Sequence, residues 1–162
     1  MRLEENRVLT EPLYLKPHPA SLKPLMWFRV FAANETMPQP ADLQARLREQ
    51  GRDVALDVKG DDLGWTSIAA GGLRMERYLT DEDDLRDELD AWAAVAEAWG
   101  DECGLMQRLI AARQLYTLHG PDDAIEILDA LARWLAGGTS GFYHADGRGF
   151  CAADGTLLLA ER

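Results

Sequence analysis

Phe142-Tyr143-His144-Ala145-Asp146-Gly147-Arg148-Gly149-Phe150-Cys151-Ala152-Ala153-Asp154-Gly155-Thr156-Leu157-Leu158-Leu159-Ala160 alternates short apolar runs with Asp-Gly pairs. Three short apolar runs, residues 142–145, 150–153 and 157–160, are separated by Asp146-Gly147 and Asp154-Gly155. Asp-Gly is a strong hairpin signal, because both residues tolerate the backbone angles of a tight turn. The stretch therefore predicts three short strands joined by hairpins.

Just before it, residues 114–119 predict a strand. Gly120-Pro121-Asp122 opens a helix, and Ala124, Ile127, Leu128, Leu131 and Leu135 give that helix one apolar face. Gly137-Gly138 ends it. The C-terminal part thus reads as strand, helix, three strands.

The same order occurs earlier. Trp27-Phe28-Arg29-Val30-Phe31-Ala32 is rich in aromatic and β-branched residues and predicts a strand. Pro38 and Pro40 lead into a helix at 41–50, with Leu43 and Leu47 on one face and Gly51 at its end. Strands follow at 54–58, 65–70 and 73–79, separated by Gly60-Asp61-Asp62-Leu63-Gly64 and by Gly71-Gly72. Val30 to Trp65 spans 35 residues, as does Leu115 to Phe150. This periodicity points to an internal duplication.

Between the copies, Thr80 is a good helix N-cap. Leu85, Leu89, Trp92, Ala96 and Trp99 then follow as one apolar stripe, stopped by Gly100. Asp101 caps a second helix carrying Met106, Leu109 and Ile110. Residues 1–24 hold Pro12, Pro17, Pro19 and Pro24, which forbid a long helix and predict an extended arm anchored by Tyr14 and Leu15.

The expected fold is α+β: two pseudo-repeated strand–helix–three-strand units, mostly antiparallel, joined by an inserted helical pair. Residues 1–162 form a single domain, with an arm (1–24), a first repeat (25–79), a helical insert (80–112) and a second repeat (113–162). Helices are expected to cover one face of the sheet.

The order of elements over residues 27–79 and 114–160 resembles the paired modules of the vicinal-oxygen-chelate superfamily. It is also similar to the duplicated strand–helix–strand–strand modules of small-molecule-binding effector domains. Separately, residues 27–31, 113–118 and 146–150 resemble an uncharacterised bacterial protein family, a likeness that implies no activity. The vicinal-oxygen-chelate likeness implies metal ligands on the first and last strands of each module. The matching residues are Glu76, His119 and Glu161. The first strand offers none, so one ligand of the usual four is missing, and no metal or other cofactor is expected.

Composition narrows the function classes. The chain has 162 residues, 28 acids, 17 Lys and Arg and a net charge of −11, which argues against nucleic-acid binding. No apolar run approaches the ~20 residues of a membrane span, and the first residues lack a signal core, so a cytoplasmic location is expected. Cys103 and Cys151 form no disulfide framework and no CxxC pair. Packing is the expected role of both. The sequence shows no G-x-S-x-G, H-E-x-x-H or Gly-rich phosphate loop.

Charge is concentrated. Residues 81–102 hold ten acids against Arg86 alone, nine of the eleven net negative charges. Asp81, Glu82, Asp83, Asp84, Asp87 and Glu88 are the candidate partner-binding residues. Trp65 and Phe150, at matching positions of the two copies, are the candidate ligand-cleft residues. His144 and Asp146 fall on one face of their strand, although the turn alone explains Asp146.

The leading expectation is a non-catalytic binding module for a basic protein or a small ligand. The alternative is a vicinal-oxygen-chelate-like enzyme with its active site between the repeats. A homodimer through a free sheet edge is compatible with either.

Overall fold

The computed structural model describes residues 25–80 and 83–162. The expected arm, residues 1–24, lies outside the described residues, as do Asp81 and Glu82. In chain order the elements are β1 (Leu25–Ala32), α1 (Pro40–Glu49), β2 (Asp57–Asp61), β3 (Gly64–Ala70) and β4 (Leu73–Leu79). Then come α2 (Asp83–Ala98), α3 (Leu105–Ile110), β5 (Gln114–Pro121), a 3-10 turn (Asp122–Ala124), α4 (Ile125–Gly138), β6 (Phe142–Ala145), β7 (Gly149–Ala152) and β8 (Leu157–Ala160). The fold is α+β, and strand–helix–three-strand order occurs on both sides of the α2–α3 pair.

All eight strands form one antiparallel sheet, in the order β2-β3-β4-β5-β1-β6-β7-β8. The two units interleave: β5 lies between β4 and β1, and β1, paired with β5 from Leu25 opposite Pro121 to Ala32 opposite Gln114, also pairs with β6. Their junction is therefore hydrogen-bonded sheet. The pairing does not follow a two-fold. β4, the last strand of the first unit, lies beside β5, but β1 is flanked by β6 rather than by β8.

Helices cover both faces of the sheet, which corrects the one-face expectation. Neighbouring strand residues point to opposite sides, and several strands are apolar at consecutive positions. Val30, Tyr116, Tyr143 and Cys151 enter a core shared with Leu43 and Leu47 of α1 and with Leu128, Leu131 and Leu135 of α4. Phe31, Leu115, Phe142 and Phe150 enter a second core with Leu85, Leu89 and Trp92 of α2 and with Leu105 and Leu109 of α3. Continuous apolar runs rather than alternation mark strands buried on both faces.

One strand departs from expectation. The second strand runs over 57–61 rather than 54–58. Val54 and Leu56 pack against the first core from the loop, while a two-residue turn sets the pairing of Asp61 with Gly64. Asp61 Oδ1 accepts from the Leu63 N–H at 2.8 Å and shapes that turn. Asp101 does act at the start of α3, accepting from the Cys103 N–H through Oδ1 and from the Met106 N–H through Oδ2. These bonds hold its carboxyl below the usual range, although desolvation pulls the other way.

Candidate functional site

The acidic helix begins with α2. Asp84, Asp87 and Asp90 are exposed, as are Glu97 near its end and Glu102 in the following loop. Glu88 is not part of this surface. It is 7% exposed and lies on the inward side of the helix, beside Leu85, Leu89 and Trp92. Residues 85, 88, 89 and 92 repeat at three- and four-residue spacing, which is the buried stripe of a helix. Of the six expected partner-binding residues, Asp84 and Asp87 stand exposed and Glu88 is withdrawn. Asp81 and Glu82 lie outside the described residues, and Asp83 enters as the first residue of α2.

Two arginines accompany this layer, and both make contacts within the chain. Arg86 Nη1 donates to the Ile110 carbonyl at 2.6 Å. The Arg108 guanidinium lies 4.5 Å from the centroid of the Phe142 ring. Arg86 is half-buried and Arg108 is exposed, so the acids outnumber the bases on this side of the chain.

Beneath α2 lies a polar and aromatic cluster. Arg29 of β1 is paired across the sheet with His144 of β6 and with Thr117 of β5. Arg29 is 6% exposed, and its Nη1 donates to Asp146 Oδ1 at 2.8 Å. Its guanidinium also lies 5.1 Å from the Trp92 centroid and 5.6 Å from that of Trp27. His144 is buried among Trp92, Trp99 and Phe150. Its Nε2 is 3.5 Å from Glu161 and its Nδ1 is 4.0 Å from Asp146. Neither nitrogen makes a hydrogen bond with another described residue, and neither does the buried Thr117 hydroxyl.

Burial, and then the positive charge of Arg29, push the His144 pKa down from 6.5 to about 3. The two carboxylates do not reverse this. Asp146 is already engaged by Arg29, and Glu161 accepts from the Gly147 N–H at 2.7 Å. His144 is therefore neutral at neutral pH, its contacts with Asp146 and Glu161 are not ion pairs, and it is a weak base for proton transfer. The strand alternation of His144 and Asp146 was the sequence signal for this cluster. Nothing in the pattern signalled that Arg29 joins it from β1.

The other candidate residues do not converge. Trp65 is buried in the first core, with Nε1 donating to the Pro38 carbonyl at 2.7 Å, and Phe150 is buried in the second. They occupy opposite faces of the sheet and line no common cleft. Matching chain positions do not become matching spatial positions, because the pairing lacks a two-fold.

Glu76 and His119 sit on the neighbouring strands β4 and β5, where Glu76 faces Thr117 and His119 faces Arg74. Glu161 lies past β8, four strands from β5. Glu76 instead accepts from Arg74 at 2.8 Å and from the Tyr78 hydroxyl. These bonds lower its pKa against the desolvation that raises it. Among the described residues, no three His, Cys, Asp or Glu side chains are grouped to hold a metal ion.

The cysteines are not activated. Desolvation and Asp101 push the Cys103 thiol up, and burial does the same to Cys151. A gap of about 270 Å³, including its open mouth, lies between the helices α1 and α4 and the sheet. Leu43, Leu47, Ile68, Leu118, Leu128 and Leu131 line it, and Arg74 is the single polar side chain of its lining. None of the described helices is long and apolar enough to cross a membrane.

Comparison with protein-family models, curated proteins and solved structures found no match for this chain.

Proposed function

We propose that the protein is a non-catalytic binding module that meets a basic protein surface through the outer side of α2 and the loop after it. The observation that carries this reading is the arrangement of charge. Asp84, Asp87, Asp90, Glu97 and Glu102 are exposed, against the exposed Arg108 and the half-buried Arg86, which donates to the Ile110 carbonyl. A predominantly negative surface of this kind steers a basic partner and disfavours an acidic one. The low basicity of His144 and the raised thiols support a role without covalent or proton-transfer chemistry.

The test is capture from the native cell extract, with the full chain as bait, at low salt and at high salt. Salt screens exposed charges beyond a Debye length of about 8–10 Å at moderate ionic strength. The expected result is a basic protein retained at low salt and released at high salt. Recovery of no salt-sensitive basic protein would overturn the reading.

A further inference from the structure

We draw no further inference here: the strongest candidate, the buried side-chain row of Thr117, Arg29 and His144 across β5, β1 and β6, carries nothing, because Asp146 already meets the charge of Arg29 and nothing in the structure shows what would occupy the row.

Discussion

Arg29 and Asp146 meet at the boundary of β1 and β6, Nη1 to Oδ1 at 2.8 Å, with the arginine 6% exposed and the aspartate partly open to solvent. The guanidinium is held beside the Trp27 and Trp92 rings, so its charge is desolvated over most of its surface. A buried cation needs a counter-charge. Asp146 supplies it from a position that the Asp146-Gly147 turn already fixes.

Asp146→Asn keeps the shape and removes that counter-charge. The loss of stability should be about 1–3 kcal/mol, at the lower end of buried pairs because Asp146 is partly solvated. Urea unfolding measures it. Arg29→Met combined with Asp146→Asn should lose less than the sum of the single changes, because no unpaired charge is then left buried.

His144 makes stability depend on pH. Its folded pKa of about 3 lies below its ordinary value of 6.5. Between those values the unfolded chain binds a proton that the folded chain does not. Stability is therefore full above about pH 6.5 and falls as the pH drops toward 3, by up to about 1.4 kcal/mol per unit. Glu76 and Asp101 also weaken the fold in acid, since their folded pKa values are lowered. His144→Phe removes only the histidine part, so the difference in stability between the two chains should be constant above pH 7 and move in the variant's favour as the pH falls below 6.

Gly149 and Gly147 should respond differently to alanine. Both have positive φ, +124° and +78°. A Cβ on Gly149 runs into the Leu159 carbonyl oxygen and the Glu161 nitrogen, whereas one on Gly147 meets nothing within 4 Å. Gly147→Ala should lose about 1 kcal/mol from backbone strain alone. Gly149→Ala should lose about 2–4 kcal/mol, because the β7–β8 pairing must open as well. Thermal unfolding of the two variants gives the comparison.

Much of this fold was legible because local signals and pairing agree. The Asp-Gly turns at 146–147 and 154–155 separate β6, β7 and β8, and the stripe from Leu85 to Trp99 marks α2. Neighbour relations across the sheet were not legible. The pairing of β1 with both β5 and β6 joins residues far apart in sequence, and no local periodicity encodes it. That is why Trp65 and Phe150 looked equivalent and are not, and why Glu161 could be grouped with Glu76 and His119.

Side-chain depth was also hidden. Glu88 belongs to the acidic run by composition, yet its phase on α2 matches Leu85 and Trp92 and turns it inward. Arg29 read as one more residue of an apolar strand. Only the register opposite His144 brings it to Asp146.

The measurement that bears most directly on the function is capture by a charge-reversed bait. Asp84→Lys, Asp87→Lys and Asp90→Lys together change exposed positions, so the fold should be kept within about 0.5 kcal/mol per site. The account predicts that the basic protein held by the native chain at low salt is lost from this variant, with unfolding curves that overlay. Retention of the same protein by both baits would contradict it.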